Sequence, residues 1–305
     1  MQQTASLTAL MSAYCRAFHA EHELHPVFCD TAAKQLLTPE EYANLSAYVL
    51  SGIDFFAPEK KGAFANDTEA LRFLIDTQLA PTPLCRAAYA ETALKTAVKT
   101  GTVQYVILGA GLDSFALRES EFLKNHEVFE VDHPATQADK IQRLTRAFEK
   151  NGHTCPENLH FVPVDFAADD LAEKLEKSGF NASKKTFFSW LGVTYYLPLE
   201  AIEKTLAMLS KLCAHGSSIV FDMADENYFS AREQRVKNTI ALAKASGEEM
   251  KTAFSYAEIE KLLEKHGFLI YEFLTPNDIQ RQIINARGAN MQAFEHTNYA
   301  LAVKK

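Results

Sequence analysis

The sequence predicts an α/β protein with a doubly wound, mostly parallel seven-stranded sheet and a helical N-terminal cap. Two observations support this fold. From residue 103 onward, short apolar runs alternate with amphipathic helical segments, as in a parallel sheet covered by helices on both faces. Before that point the chain looks helical throughout. We therefore expect a helical cap over residues 1–100 and an α/β domain over residues 101–305.

The cap opens with an apolar stripe at helical spacing. The stripe consists of Leu7, Leu10, Met11, Tyr14, Ala17 and Phe18. A second helix is expected after Thr38, because Pro39 suits the first helical position. Residues 51–66 mix glycine and proline with phenylalanine, and this segment is expected to be either an ordered lid or a packed connection.

Seven apolar runs have the length and residue types of strands. They cover residues 103–108, 127–131, 159–164, 186–191, 218–222, 268–274 and 299–303, and the last is expected to pair antiparallel. Helices are expected to begin at Asp113 or Ser114, at Pro134, near Pro198 and after Tyr256.

Composition and charge narrow the classes of partner. The 305 residues are 47% hydrophobic and carry a formal net charge of -8, with no basic run, which argues against binding nucleic acid or an anionic membrane. The five cysteines form no Cys-x-x-Cys pair and are expected to be reduced thiols. Neither a signal peptide nor a membrane span is predicted. We expect a cytoplasmic protein whose partner is a small molecule or a peptide; the oligomeric state is not predicted.

Glycines and carboxylates follow three of the expected strands. Gly109 and Gly111 end the first strand, and Asp132 and Asp165 end the second and third. Ligands of open α/β sheets bind beyond the carboxyl ends of the strands, and a carboxylate about 20 residues past such a turn is typical of ribose recognition. The alternative is an ordinary glycine turn followed by helix caps. Together the four residues favour a nucleoside site.

The absence of the third glycine of the dinucleotide fingerprint indicates which kind of nucleoside binds. Phe115 stands where the third glycine of the dinucleotide fingerprint would pack the helix against a pyrophosphate, so NAD is disfavoured. S-adenosylmethionine has no phosphate, and its sulfonium suits carboxylates and aromatic faces. We therefore expect S-adenosylmethionine as the cofactor.

Several segments resemble one known family. They are Val106-Ile-Leu-Gly-Ala-Gly-Leu-Asp-Ser-Phe-Ala-Leu-Arg118, Phe129-Glu-Val-Asp-His-Pro-Ala-Thr-Gln137, Arg16-Ala-Phe, Asp30-Thr-Ala-Ala, Val162-Pro-Val-Asp-Phe166 and Gly192-Val-Thr-Tyr-Tyr-Leu-Pro198. Over roughly residues 1–220 the sequence resembles the leucine carboxyl methyltransferase family, especially its bacterial members. The resemblance implies the Rossmann-like fold of class I methyltransferases. It fades beyond residue 220, so residues 223–250 are expected to form a helical insertion that shapes the acceptor pocket.

The resemblance also implies roles for residues at one end of the cofactor. Arg86 matches the family arginine that holds the methionine carboxylate, for which a guanidinium fork is well suited. Gly109, Ala110 and Gly111 match the turn under the cofactor, and Asp132 matches the ribose ligand. The alternative for Arg86 is an ion pair on a helix surface.

At the other end of the cofactor, Asp165 and Phe166 match the pair beside the adenine. Their alternatives are a helix cap and core packing. Tyr196 matches a tyrosine near the methyl acceptor, and its alternative is a buried aromatic residue after a strand. Where many relatives carry a glutamate just ahead of Gly192, this sequence has Trp190-Leu191. Trp190 is expected either to contact the cofactor or to pack in the core.

Three further residues are candidates for ligand contact. They are His133 beside the ribose, Asp113 as a ligand or an N-cap, and Arg118 as a ligand or a cation on a helix face. Metal binding by His19, His22 and His25 is not expected, since residues three apart drift around a helix and no fourth ligand is specified; a solvated helix end is the preferred interpretation.

The expected reaction is O-methyl transfer to a carboxylate or hydroxyl of a small molecule or peptide. A carboxylate, with a pKa of roughly 4, needs no general base. A hydroxyl needs one, and His133 and Tyr196 are the only candidates that the sequence suggests. Two alternatives remain open: a nicotinamide-dependent oxidoreductase and a catalytically silent cofactor-binding protein.

Overall fold

A computed structural model of the protein describes residues 6–166 and 168–305. The chain ahead of the first strand contains α1 (Leu7–His22), α2 (Pro39–Ser51), α3 (Ile53–Phe56), α4 (Asp67–Leu74) and α5 (Pro81–Lys99). A π-helical stretch, Ile75–Leu79, joins α4 to α5. This region is not helical throughout, because the chain leaves the helix at Glu23 and Pro26 follows, whose nitrogen has no hydrogen to donate.

The start of α2 is where the sequence predicts it. The Thr38 side chain accepts a hydrogen bond from the Glu41 backbone N–H, and the Glu41 carboxylate accepts one from the Thr38 backbone N–H. Pro39 occupies the first turn. This reciprocal capping box satisfies two N–H groups that would otherwise lack partners.

The strands of the described residues form one seven-stranded sheet. They are β1 (Gln104–Leu108), β2 (Glu127–Asp132), β3 (Leu159–Pro163), β4 (Thr186–Trp190), β5 (Ser218–Ala224), β6 (Phe268–Leu274) and β7 (Thr297–Lys304). The order across the sheet is β3-β2-β1-β4-β5-β7-β6. β1 to β5 are parallel, and β7 runs antiparallel to both of its neighbours. The predicted fold class is confirmed, including the antiparallel last strand.

The helices between and after the strands complete the α/β alternation. They are α6 (Phe115–Arg118), α7 (Ser120–Leu123), α8 (Pro134–Lys150), α9 (Leu171–Lys177), α10 (Leu199–Leu212), α11 (Gln234–Ala245), α12 (Tyr256–Lys265) and α13 (Pro276–Ile279). The helix expected after the glycine turn is two short pieces, separated where Glu119 leaves the helical conformation. No described helix is long and apolar enough to span a membrane.

The two faces of the sheet belong to different hydrophobic clusters. On β1, Tyr105 and Ile107 pack in a cluster that includes residues of α1 and α5, while Val106 and Leu108 pack with residues of α9, α10 and α12. This alternation follows from the two-residue period of a strand, and burial of both faces explains the continuous apolar run. The helices ahead of β1 therefore share one hydrophobic cluster with the sheet.

Candidate functional site

The turn after β1 has the backbone geometry that favours glycine. Gly109 and Gly111 have φ values of +73° and +47°. The backbone N–H groups of Gly109 and Ala110 both donate to the Val131 carbonyl of β2. A Cβ atom on Gly109 would lie 2.7 Å from a methyl carbon of Val193, which follows β4. The turn after β1 therefore packs closely against the loop after β4.

Asp132 is anchored beside this turn. One carboxylate oxygen accepts from the Gly111 N–H at 2.5 Å, and the other accepts from the His133 N–H at 2.6 Å. Each carboxylate oxygen can accept more than one hydrogen bond, so the side chain retains capacity for ribose hydroxyls. The geometry holds the carboxylate at the mouth of the glycine turn.

Asp165 and Phe166 follow β3, next to Asp132. The Val164 N–H donates to the Asp132 carbonyl at 2.8 Å, which joins the ends of the two strands. Phe166 is 37% exposed, so it does not pack in the described core. The backbone N–H of Asp165 donates to the Asp169 carboxylate at 2.9 Å.

Asp113 and His133 both make local capping contacts. Asp113 accepts from the Phe115 N–H at 2.7 Å at the start of α6. His133 is exposed, and its Nδ1 accepts from the Ala135 N–H at 3.3 Å at the start of α8. His133 is thus the N-cap of α8, whereas Asp113 lies one residue ahead of Ser114, the N-cap of α6. Contact with a ligand stays a prediction for both residues.

Arg86 reaches the sheet from α5. Its Nη1 donates to the Asp222 carboxylate at 3.0 Å and to the Tyr195 hydroxyl at 2.8 Å. Asp222 is fully buried at the end of β5, so this is not an ion pair on a helix surface. Burial lowers the pKa of Arg86, but Tyr195 and Asp222 raise it above its usual value, and the guanidinium is charged.

The guanidinium of Arg86 also packs on Gly192, which has a φ of +73°. A Cβ atom there would lie 2.7 Å from Arg86 Cζ. The Gly192 N–H donates to Asp222 at 2.6 Å. Within the described part of the chain, Nε and Nη2 of Arg86 make no hydrogen bond, so these two nitrogens can donate hydrogen bonds to a carboxylate.

Sequence reasoning missed Asp222 and Tyr195 as site residues. A signal for Asp222 existed, because it is an acidic residue near the end of a predicted strand, like Asp132 and Asp165. For Tyr195 no local signal distinguishes it from Tyr196.

Trp190 is buried on the face of the sheet that packs against α9 and α10. It belongs to the same hydrophobic cluster as Val164 and Leu206 and is 2% exposed. This is the core-packing alternative, and contact between Trp190 and the cofactor stays a prediction.

A cavity of about 200 Å³ adjoins Arg86 and Gly192, and we call it the cap cavity. It lies between α1, α5, α11 and the ends of β5 and β7. Tyr196 is in its lining, and its hydroxyl makes no hydrogen bond within the described residues. Burial raises the pKa of Tyr196 to about 12, although Arg86 opposes this shift, and Glu248 raises the pKa further. Tyr196 is therefore a hydrogen-bond donor at neutral pH and a poor general base.

Buried ion pairs hold the chain around α1 against the glycine turn. Arg16 donates to the Leu112 carbonyl at 2.7 Å and to Asp30 at 2.5 Å. Asp30 also accepts from the Ser114 hydroxyl at 2.6 Å and lies 3.3 Å from Arg118 Nε. Arg118 is thus largely buried in ion pairs and is not an exposed cation on a helix face.

The histidines near the end of α1 have structural contacts. His19 is buried, its Nδ1 lies 3.3 Å from an Asp76 oxygen, and its Nε2 accepts from the Val27 N–H at 3.0 Å. His22 packs its ring on Phe18. Residues 6–166 and 168–305 contain no group of three or more histidine, cysteine or acidic side chains placed to hold a metal ion. The expected solvated helix end is therefore wrong for His19, which is buried, whereas His25 is exposed.

The donor set at the strand ends fits S-adenosylmethionine. The glycine turn lets the backbone approach a ligand closely, Asp132 stands beside it, and Arg86 has guanidinium nitrogens without a described hydrogen-bond partner. A carboxylate can accept hydrogen bonds from ribose hydroxyls, and a guanidinium can pair with an amino-acid carboxylate.

Comparison with known proteins supports the same conclusion. The chain is 44% identical to the "Putative S-adenosyl-L-methionine-dependent methyltransferase YktD" of Bacillus subtilis (strain 168), over 99% of this chain and 98% of the relative. A Mycobacteroides abscessus protein of the same description, without the YktD name, is 28% identical over 72% of this chain and 67% of its own length.

Among solved structures, a DUF574 family protein from Streptomyces avermitilis has a similar fold, with a TM-score of 0.59. It is 13% identical and covers 99% of this chain and 98% of its own. The family model of the leucine carboxyl methyltransferases matches residues 9–210. The resemblance seen in the sequence is confirmed: the chain belongs to the leucine carboxyl methyltransferase family of S-adenosylmethionine-dependent methyltransferases.

Proposed function

We propose that the protein transfers the methyl group of S-adenosylmethionine to a carboxylate or hydroxyl oxygen of a small molecule or peptide bound in the cap cavity. The observation that carries this proposal is the position of Arg86 and Gly192. Both residues line the cap cavity, and both adjoin the loop that packs on the glycine turn after β1. An acceptor in the cavity would thus lie next to a cofactor held at the strand ends.

On the cofactor side, Asp132 would hold the ribose, and Asp165 and Phe166 would lie beside the adenine. Gly109, Ala110 and Gly111 would form the turn beneath it. The free edge of Arg86 would pair with the methionine carboxylate. When bound, S-adenosylmethionine supplies a methyl group that its sulfonium has already activated.

On the acceptor side, the protein aligns the attacking oxygen and excludes water. Tyr196 is the polar group that we assign to this task, because its hydroxyl is protonated at neutral pH and is not used by a described neighbour. It would donate a hydrogen bond to the acceptor. His133 is absent from the lining of the cap cavity, so its role as a base has no support from its position.

Residues 1–100 would act as a cap, and residues 223–250 would shape the acceptor pocket. In support, α1 and α11 both contribute side chains to the cavity lining, including Met11 and Leu242. We also propose a cytoplasmic location, since Cys15, Cys29, Cys85, Cys155 and Cys213 are all free thiols, as is usual in a reducing compartment.

A ligand screen followed by a transfer assay tests the proposal. S-adenosylhomocysteine at a hundredfold excess over its Kd should stabilise the fold by about 2.7 kcal/mol in a thermal-shift measurement. Radiolabelled methyl transfer should then follow with an accepted substrate. A shift with NAD and none with S-adenosylhomocysteine would favour the oxidoreductase. Binding of S-adenosylhomocysteine with no transfer to any acceptor would favour the silent binder.

A further inference from the structure

The cap cavity contains one charged side chain that is paired and one that is not. Among its described lining residues, the charged side chains are Arg86 and Glu248. Arg86 is already paired with the buried Asp222. Glu248 follows α11 and accepts a hydrogen bond from the Thr8 hydroxyl of α1, without a cation among its described contacts. The cavity thus presents a carboxylate that no positive side chain neutralises.

This charge distribution disfavours a carboxylate acceptor. A second carboxylate in the cavity would lie near the half-buried Glu248, and the two like charges would repel. The cation nearby, Arg86, is held by Asp222 and faces the position assigned to the cofactor carboxylate. A neutral hydroxyl meets no such penalty, because it can donate to Glu248 and accept from Tyr196.

The walls of the cavity are suited to an apolar body. Leu7, Met11, Leu79, Leu242, Met250 and Phe294 contribute to the lining. An apolar cavity of about 150 Å³ is large enough to bind benzene. At about 200 Å³, the cap cavity has room for an aromatic ring with further carbon atoms.

We propose that the methyl acceptor is a neutral, largely apolar hydroxyl compound of the phenol or enol class, and that Glu248 is the general base for it. This inference rests on the proposed function and specifies its acceptor. The acceptor O–H proton moves to the Glu248 carboxylate as the oxygen bonds to the methyl carbon. The carbon–sulfur bond breaks, its electron pair stays on sulfur, and the products are a methyl ether and S-adenosylhomocysteine.

A binding experiment tests the charge preference without turnover. We choose 2-naphthol and 2-naphthoate as probes of equal shape, titrated by calorimetry at pH 7 with saturating S-adenosylhomocysteine. The wild type should bind 2-naphthol at least about tenfold more tightly than 2-naphthoate. Glu248→Gln should remove most of that difference by tightening 2-naphthoate, because it removes the like charge.

Glu249→Gln is the matched control, since Glu249 is the exposed neighbour of Glu248 and is not in the cavity lining. It should leave both affinities within about twofold of the wild type. Equal binding of the two probes by the wild type, binding of neither, or the same effect from both variants would overturn the inference.

A transfer experiment tests the role of Glu248 as a base. With labelled cofactor, the product of 2-naphthol should be an ether that resists alkali, whereas an ester of 2-naphthoate would release its label. Glu248→Gln should slow transfer to 2-naphthol by about 10²-fold or more with little change in KM, the usual size of a general-base effect. The loss should be much smaller with 4-nitrophenol, because this more acidic phenol ionises near neutral pH without a general base. With 2-naphthol, the loss should shrink as the pH rises.

Two outcomes separate this inference from the proposed function. Labelled ester without labelled ether would show that the protein is an O-methyltransferase and that the hydroxyl acceptor is wrong. Failure of S-adenosylhomocysteine to stabilise the protein would contradict the proposed function itself. Equal losses in Glu248→Gln and Glu249→Gln would exclude Glu248 as the base.

Discussion

The guanidinium of Arg86 lies against the α carbon of Gly192, so that a methyl group there would come within 2.7 Å of Arg86 Cζ. The Arg86 side chain cannot easily move away, because it is hydrogen-bonded to both Asp222 and Tyr195. Gly192→Ala should therefore displace the guanidinium and weaken S-adenosylhomocysteine binding at least tenfold, about 1.4 kcal/mol, as measured by calorimetry.

Gly152→Ala is the control for backbone strain in this experiment. Gly152 has a φ of +72°, close to that of Gly192, but a methyl group there would meet no atom within 4 Å. Its substitution should cost about 1–2 kcal/mol of folding stability without changing the affinity for S-adenosylhomocysteine. Similar affinities for both variants would contradict a role for the contact between Arg86 and Gly192.

Replacing Arg86 should weaken the binding of ligands that carry the amino-acid carboxylate and leave the affinity for ligands without it unchanged. Arg86→Lys keeps the charge but loses the planar fork, so it should weaken S-adenosylhomocysteine appreciably. Arg86→Ala should weaken it more, by about 2–4 kcal/mol, because a carboxylate would be left unpaired. Adenosine has no such carboxylate and should bind nearly as well as to the wild type. Equal losses for both ligands in calorimetry would show that Arg86 acts on the fold.

Asp132→Ala should weaken both S-adenosylhomocysteine and adenosine, since both contain the ribose. The expected loss is about 1.5–3 kcal/mol, the size of hydrogen bonds to a charged group. The variant also loses the acceptor for the Gly111 N–H, so its fold should be checked by circular dichroism before calorimetry. Unchanged affinity in a folded variant would remove Asp132 from the cofactor site.

Asp30 should make folding stability depend on pH in the acid range. Burial raises the pKa of Asp30. Arg16, Arg118 and the hydrogen bonds from Ser114 and Ala33 lower this pKa by more, so that it lies below its usual value. The stabilisation is therefore fully present above the unfolded pKa of about 3.9 and is lost as pH falls through the lower folded pKa. Urea unfolding of the wild type should show this loss.

At pH 7, Asp30→Asn should destabilise the protein by about 3–5 kcal/mol, because it leaves the buried guanidinium of Arg16 without its carboxylate and removes one of the two carboxylates beside Arg118. Its stability should also fall less with acidification than that of the wild type. The control is Asp54→Asn, which breaks an exposed pair with Lys61 and should cost under about 1 kcal/mol. A small effect of Asp30→Asn at pH 7 would contradict the assigned role of the buried pairs.

Local patterns in the sequence were sufficient to predict the strands, their mostly parallel sheet and the places of several candidate site residues. Strand and helix periods are properties of short segments, and parallel strands with helical connections leave few topologies. Gly109, Asp132 and Asp165 were predictable because each follows an apolar run, and the carboxyl ends of parallel strands meet at one edge. The capping box at Thr38 is likewise encoded within four residues. The resemblance to a family added Arg86, which no local pattern marks.

Only the tertiary structure decided how distant residues meet. Asp222 joins Arg86 across 136 positions, and Thr8 meets Glu248 across 240, because the helices ahead of β1 pack on the sheet and on α11. Such contacts depend on how whole elements dock, which leaves no trace in the spacing of nearby residues. Trp190 illustrates the same limit: its position as the last residue of a strand is local, but its face of the sheet, and hence its burial in the core, is set by packing.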